Sequence, residues 1–120
     1  MKLTLEGHTA LVTGANGGLG SHFARTLAKA GAKVAVAARR VDSLKDIAAA
    51  IAADKGRAAP IALDVTDPAS VSRAFDDAAS ALGAVTIVVN NAGIAITKPL
   101  LEHTEEDWQQ VIEVNLNGAW

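Results

Sequence analysis

Thr13-Gly14-Ala15-Asn16-Gly17-Gly18-Leu19-Gly20 is the stretch that decides the fold of this chain. It follows the apolar run Thr9-Ala10-Leu11-Val12, which is typical of a short buried strand, and it precedes residues 21–30, whose apolar spacing predicts a helix. Glycines let the backbone turn tightly and approach an anion, and the free N–H groups of the first helical turn point toward that anion. The stretch therefore predicts a strand, turn and helix that bind a phosphate-bearing cofactor.

The spacing of the glycines distinguishes this loop from two common phosphate-binding loops. Gly14, Gly18 and Gly20 follow the pattern G-x-x-x-G-x-G, which differs from the common dinucleotide fingerprint G-x-G-x-x-G. No Lys-Ser or Lys-Thr pair follows the last glycine, so the loop is not a P-loop. Taken alone, the loop leaves open a glycine-rich turn that binds nothing.

Length, composition and charge exclude several classes of function. The 120 residues suffice for one domain, and 50% hydrophobic with 20% charged residues indicates a globular chain. A net charge of −2 without a basic block gives no support for a nucleic-acid or membrane partner. The absence of cysteine excludes disulfides and thiolate chemistry, and the three isolated histidines predict no metal site. With no apolar leader at the N-terminus, a cytoplasmic location is expected.

Strands and helices alternate along the chain. The strands are predicted at residues 9–13, 33–38, 59–63 and 85–89, and the helices at 21–30, 42–54, 67–82 and from 104 to the chain end at Trp120. This alternation predicts an α/β fold, a Rossmann-type doubly wound parallel sheet with strand order 3-2-1-4.

Unusual residues follow each predicted strand. The glycine turn, Arg39-Arg40, Asp64-Val65 and the run Asn90-Asn91-Ala92-Gly93 all come directly after strands. Because sheets of this kind bind ligands outside the carboxyl ends of their strands, at the point where strand order reverses, these segments predict one cofactor cleft.

The residues after the second strand bear on the choice of cofactor. Sites that take NAD usually place an acid there to bind the ribose 2′-hydroxyl, whereas this chain has Ala38 and then Arg39-Arg40. A guanidinium binds a phosphate through paired, charge-assisted hydrogen bonds. The sequence therefore favours NADP(H) over NAD(H), with Arg39 as the phosphate ligand. The alternative is that one or both arginines lie in solvent at a helix start, Arg40 above all.

Polar residues at the other strand ends allow two interpretations each. Asp64 either binds an adenine amino group or caps a turn. Of Asn90 and Asn91, one is expected to tie the sheet together and the other to face the cofactor. Asn115 lies on the apolar stripe of the last helix, where its amide either fills a structural need or lines a site.

Four motifs together resemble the short-chain dehydrogenase/reductase family over the entire chain. They are Thr13-Gly14-x-x-x-Gly18-x-Gly20, Asp64-Val65, Asn90-Asn91-Ala92-Gly93 and Asn115-Leu116-x-Gly118. The resemblance implies a Rossmann fold and hydride transfer between a nicotinamide and an alcohol or carbonyl substrate. It also implies that the residues around the pyrophosphate and the adenosine ribose are Gly14, Asn16, Gly17, Gly18, Leu19 and Gly20.

The resemblance assigns roles at the remaining strand ends. Arg39 would select the 2′-phosphate, and Asp64 with Val65 would hold the adenine. Asn91, Ala92 and Gly93 would line the cofactor, Asn90 would help to lock the sheet, and Asn115 would be the first member of the family's Asn-Ser-Tyr-Lys tetrad, helping to hold a water. Members that prefer NADP often carry a basic residue in the glycine loop, where this chain has Asn16 and Gly17.

The chain also departs from the family pattern. Such proteins usually run to about twice this length, and this chain has no tyrosine, so the general acid/base of the family mechanism is missing. The later strands of the sheet are absent too, which would leave the fourth strand as an apolar edge.

These departures lead to an expectation about the whole chain. Residues 1–120 are expected to be the N-terminal cofactor-binding part of a single Rossmann domain, ending within the helix that carries Asn115 and inactive alone. The parent is expected to be a homodimer or homotetramer. The alternative is a non-catalytic dinucleotide-binding module that acts as a sensor or partner subunit.

Overall fold

The computed structural model describes residues 4–120, which are organised around a parallel sheet. The expectation that the N-terminus carries no apolar leader concerns in part residues 1–3, which lie outside the described residues. The strands are β1 (Thr9–Thr13), β2 (Lys33–Ala38), β3 (Ala58–Ala62) and β4 (Ile87–Val89). The α-helices are α1 (Gly18–Lys29), α2 (Lys45–Ala53), α3 (Pro68–Leu82) and α4 (Glu105–Asn115). Short 3₁₀ turns cover Val41–Leu44, Leu100–Glu102 and Asn117–Ala119.

The strand order β3-β2-β1-β4 confirms the predicted topology. β1 lies at the centre, and its Leu11 is in register with Ala35 of β2 and with Val88 of β4. After β1 the chain adds β2 and β3 on one side and then returns to place β4 on the other. The carboxyl ends of β1 and β4 therefore flank the point where the direction of winding reverses.

Helices cover both faces of the sheet because the side chains of a strand alternate between its two faces. Ala10 and Val12 of β1 pack into the cluster under α1 and α2, which also contains Leu44 and Ile51. Leu11, the residue between them, packs into the cluster on the other face with residues of α3. All five residues of β1 are buried, as expected for a parallel strand that is apolar on both faces.

The glycine turn begins α1 earlier than the sequence predicted. The helix starts at Gly18 rather than at residue 21, so two of the three motif glycines belong to its first turn. Gly14 has a φ of +62°, a left-handed conformation that favours glycine. A Cβ atom on Gly20 would overlap the carbonyl oxygen of Gly14 and lie 2.6 Å from Nδ2 of Asn91. The turn can therefore pack this closely only because Gly14 and Gly20 have no side chains.

Two of the other helices differ from the prediction in their boundaries. The helix predicted at residues 42–54 is α2 at Lys45–Ala53, and the 3₁₀ turn Val41–Leu44 precedes it. Asp67 caps α3 by accepting a hydrogen bond from the backbone N–H of Ala69 at 3.0 Å. Thr104 and Asp107 form the predicted capping box of α4. The prediction that this last helix continues to Trp120 is wrong, because α4 ends at Asn115 and a 3₁₀ turn follows. Asn117 and Gly118 are poor helix formers, which accounts for the early end.

The described part of the chain contains no helix with both the length and the apolar content that crossing a bilayer requires.

Candidate functional site

A cleft of about 780 Å³ opens along the carboxyl edge of the sheet, between the strand ends and α4. Its walls come from the glycine turn, the ends of β2 and β3, the loop after β4 and one side of α4. The lining residues are Thr13, Gly14, Asn16, Ala38, Arg39, Arg40, Ser43, Leu63, Asp64, Val65, Thr66, Ala92, Gly93, Ile94, Gln110, Glu113 and Val114.

The strand-end segments that the sequence predicted to converge do meet at this cleft. Each segment contributes predicted residues to its lining, namely Gly14, Asn16, Arg39, Asp64, Val65, Ala92 and Gly93. Six further predicted residues lie outside the lining: Gly17, Gly18, Leu19, Gly20, Asn91 and Asn115. The first four of these surround the start of α1, and the two asparagines support loops that do line the cleft.

The start of α1 is open to a ligand. Gly17 and Gly18 are exposed, and a Cβ atom built on either would meet no atom within 4 Å, so a bound group can approach the backbone there. The first N–H groups of a helix have no partner within the helix, and the first turn of α1 carries no acidic residue. The residues present therefore fit an anionic group such as a pyrophosphate.

Thr13 and Asn91 fasten the glycine turn to the end of β4. The Thr13 hydroxyl accepts hydrogen bonds from the backbone N–H groups of Asn91 at 3.0 Å and Ala92 at 2.8 Å. In return, Nδ2 of Asn91 donates to the carbonyl oxygens of Thr13 at 3.1 Å and Gly14 at 3.2 Å. These hydrogen bonds fix the distance between the glycine turn and the loop after β4, which are far apart in sequence.

The residue that ties the sheet is therefore Asn91, and the expectation that Asn90 performs this task is wrong. Asn90 donates instead to the carbonyl oxygen of Ala119 at 3.3 Å, beyond α4. Neighbouring residues near a strand end point in opposite directions, so the two amides cannot both reach β1. The structural role of Thr13 was missed, although a polar residue that closes an apolar strand beside a glycine is a signal for it.

Two arginines and a serine line the cleft after β2. Ser43 folds back, and its hydroxyl donates to the carbonyl oxygen of Arg40 at 2.6 Å. Arg39 and Arg40 are both exposed, and both line the cleft, including Arg40, for which the sequence favoured a solvent position. The arrangement places two guanidinium groups on a wall that a phosphate could approach.

Asp64 caps a turn in the structure. Its Oδ1 accepts hydrogen bonds from the backbone N–H of Thr66 at 2.9 Å and from the Thr66 hydroxyl at 2.7 Å. These bonds, with a smaller contribution from the charge of Arg39, lower the pKa of the Asp64 carboxyl against the opposing effect of burial. Within residues 4–120 both hydrogen bonds use Oδ1, so Oδ2 of an ionised Asp64 is available to a donor on a ligand.

Asn115 clamps the loop that follows β4. Its Oδ1 accepts a hydrogen bond from the backbone N–H of Ile94 at 2.8 Å, and its Nδ2 donates to the carbonyl oxygen of the same residue at 2.9 Å. A Cβ atom on Gly93 would lie 3.3 Å from Oδ1 of Asn115, so the loop runs close over the amide. Although Asn115 is exposed, its amide holds a cleft-lining segment in place through these two bonds.

α4 contributes a face to the cleft that the sequence analysis did not single out. Gln110, Glu113 and Val114 are spaced at i, i+3 and i+4, so they share one side of the helix. Glu113 also accepts a hydrogen bond from Nδ2 of Asn117 at 2.8 Å. The sequence shows the same spacing, but the apolar stripe through Trp108 and Ile112 favoured another side of the helix as the one that faces the protein.

Comparison with known proteins gives one consistent result. The family model described as short chain dehydrogenase matches residues 8–120. D-threitol dehydrogenase from Mycolicibacterium smegmatis is 37% identical over 116 residues, which cover 97% of this chain and 45% of that protein. A crystal structure of a short-chain type dehydrogenase/reductase from Mycobacterium marinum matches with a TM-score of 0.93 and 41% identity, covering 98% of this chain and 46% of the other.

A further solved structure is informative about ligands. A metagenomic short-chain oxidoreductase in complex with NADP matches with a TM-score of 0.86 and 34% identity, covering 95% of this chain and 52% of that one. The chain thus spans about half the length of the relatives it matches. The likeness extends over all four strands and confirms the predicted Rossmann-type arrangement of this part.

Proposed function

The chain belongs to the short-chain dehydrogenase family, and from that membership we propose that it is the N-terminal, cofactor-binding part of an NADP(H)-dependent oxidoreductase. The reaction is hydride transfer between the nicotinamide and an alcohol or carbonyl substrate. The observation that carries the proposal is the convergence of the glycine turn, Arg39, Asp64 and Gly93 on one cleft.

The glycine turn is the proposed site of the pyrophosphate. Gly17 and Gly18 leave open space above the backbone, and the first turn of α1 presents N–H groups without a competing carboxylate. The positive end of the α1 dipole adds to the attraction for an anion. Gly14, Asn16, Leu19 and Gly20 complete this proposed contact surface around the pyrophosphate and the adjoining ribose.

Arg39 is the proposed ligand of the 2′-phosphate. It lines the cleft directly after Ala38, at the strand end where NAD-binding sites usually carry an acid. A related oxidoreductase was solved in complex with NADP, a cofactor that carries this phosphate. Arg40 and Ser43 line the same wall and would lie near the phosphate.

The remaining residues orient the two ends of the cofactor. Oδ2 of Asp64 would accept from the adenine amino group, and Val65 would form the wall beside the ring. Ala92 and Gly93 would lie along the nicotinamide half, with Asn91 and Asn115 holding them in place. The nicotinamide supplies the hydride chemistry, while the residues of this chain bind and orient it.

These 120 residues alone are proposed to be inactive, because the chain has no tyrosine to act as the general acid/base that the family resemblance implies. Reading the coding DNA past Trp120 tests whether these residues belong to a longer enzyme that has the missing catalytic groups. An in-frame serine followed by Tyr-x-x-x-Lys supports the proposal. A stop codon, together with NADPH binding and no turnover, favours the alternative of a non-catalytic binding module. A cytoplasmic location and a homodimeric or homotetrameric assembly belong to the same proposal.

Fluorescence titration with NADPH and NADH tests the cofactor choice in the protein produced from the whole open reading frame. Arg39→Ala is expected to raise the Kd for NADPH about 10- to 100-fold, since a charge-assisted hydrogen bond to phosphate is lost. The Kd for NADH should change by less than about threefold, since NADH lacks that phosphate. Arg73→Ala on α3, outside the cleft lining, is the matched control. Equal changes for both cofactors would refute the role of Arg39.

A further inference from the structure

The 3₁₀ turn after α4 packs against Val65 with no room for a side chain at Gly118. A Cβ atom on Gly118 would lie 2.7 Å from Cγ2 and 3.0 Å from Cβ of Val65. Gly118 is not among the glycines with positive φ, so its backbone conformation does not demand glycine. The absence of a side chain at this position therefore serves the close approach to Val65.

Val65 cannot retreat freely from such a contact. It lines the cleft, and it also packs against the buried cluster that contains Leu63 and Ala74. As a β-branched residue it has few χ1 rotamers available. The backbone beside it is held by the hydrogen bonds between Asp64 and Thr66. A side chain at Gly118 would therefore displace Val65 into the cleft or move the end of α4 away from it.

Either movement changes the width of the cleft. Val65 belongs to the wall after β3, and Glu113 and Val114 belong to the wall that α4 contributes. The Gly118–Val65 contact joins the two walls directly, because the turn that carries Gly118 continues from α4. The packing of one glycine thus sets the distance between two cleft-lining segments.

We infer that Gly118 is a positioning residue for the cofactor: by lacking a side chain, it lets Val65 and the end of α4 close to the spacing that an adenine ring requires. The inference rests on the proposed function, which places the adenine beside Asp64 and Val65. Gly118 itself does not line the cleft, and its effect passes through Val65.

Binding of two probes, NADPH and adenosine 2′-monophosphate, tests the inference in the protein from the whole open reading frame. Gly118→Ala is expected to raise the Kd for both probes about tenfold, because overpacking displaces the adenine wall. At saturating NADPH, kcat with a substrate of the protein should stay within about twofold, since a positioning effect on the adenine is overcome by concentration. Asn117→Ala, which removes the bond to Glu113 but not the contact with Val65, is the control and should change neither Kd by more than about twofold.

A double variant separates a specific contact from general damage. In the Val65→Ala background, where Cγ2 is absent, Gly118→Ala should raise the Kd by less than about threefold. Additive losses in the double variant would overturn the inference. If Gly118→Ala yields no soluble protein, Val65→Ala/Gly118→Ala should restore solubility, and failure to do so also overturns it.

The test distinguishes two kinds of failure. A wild-type protein that binds neither NADPH nor adenosine 2′-monophosphate overturns the proposed function and the inference with it. A wild-type protein that binds both, together with a Gly118→Ala variant that binds them equally well, overturns the inference alone.

Discussion

The sheet differs sharply between its β1–β2 region and its β4–α4 region. Val12 of β1 and Val36 of β2 are completely buried, whereas Val88 of β4 is 46% exposed. The same contrast holds for the helices, since α2 buries Ile47 and Ile51 while α4 has no buried residue. The apolar stripe of α4 is partly exposed to solvent, and its Trp108 is 66% exposed.

The two regions are held in place by different interactions. Around β1 and β2, apolar side chains fill clusters on both faces of the sheet. Around β4 and α4, side-chain hydrogen bonds and an ion pair also hold the segments: Asn91 binds the end of β1, Asn115 binds Ile94, and Lys98 binds Asp107 at 2.6 Å. In the described part of the chain, the apolar side chains of β4 and α4 are therefore less covered than those of β1, β2 and α2.

The largest difference is expected from two matched substitutions in helices. Ile51→Ala in α2 removes a side chain that is 1% exposed and should lower the free energy of unfolding by about 2–5 kcal/mol. Ile112→Ala in α4 removes a half-buried side chain and should cost less than about half as much. Urea denaturation of the 120-residue chain measures both. Equal losses would show that α4 is as well covered as α2 and would break the comparison.

A smaller difference is expected between the two asparagines after β4. Asn91→Ala leaves the carbonyl oxygens of Thr13 and Gly14 without their donor in a half-buried place, which should cost about 1–3 kcal/mol. Asn90→Ala removes one exposed bond to Ala119 and should change stability by less than about 0.5 kcal/mol. Both values come from urea unfolding curves. The reverse order would return the sheet-tying role to Asn90.

The smallest effect is a pH dependence in the polar network of α4. The hydrogen bond from Lys98, with those from Thr104, lowers the pKa of Asp107 in the folded chain. Because the folded pKa is depressed, the stabilisation is present above the unfolded value of about 3.9 and is lost as the pH falls through the folded pKa. The Asp107 side chain is partly buried, but its partner Lys98 is exposed to solvent, so added salt should weaken the interaction of the pair further.

Asp107→Asn tests this linkage by comparison with the wild type over a range of pH. The stability difference between wild type and Asp107→Asn should be largest near about pH 6 and should shrink below about pH 4. A difference for Asp107→Asn that grows on acidification would contradict the assigned sign.

Much of the fold could be predicted because its determinants are local. The apolar runs of β1 and β2, the glycine turn before α1 and the cap at Thr104 each depend on residues close in sequence. The positions of Arg39 and Asp64 at the cleft followed from a single rule about the carboxyl ends of parallel strands. The end of α4 was mispredicted because the poor helix formers Asn117 and Gly118 follow an apolar stripe whose helical spacing favours a longer helix.

The sequence by itself determined the alternation of strands and helices, the strand order and the edge of the sheet where the cleft lies, since periodicity and the handedness of crossovers require no knowledge of distant contacts. Only the tertiary structure decided that Asn91 rather than Asn90 ties the sheet, that Asp64 caps its own turn, and that Gln110 and Glu113 face the cleft. The physical reason is distance: Asn91 and Gly14 lie 77 positions apart, and a hydrogen bond between such residues depends on how the strands are placed in space.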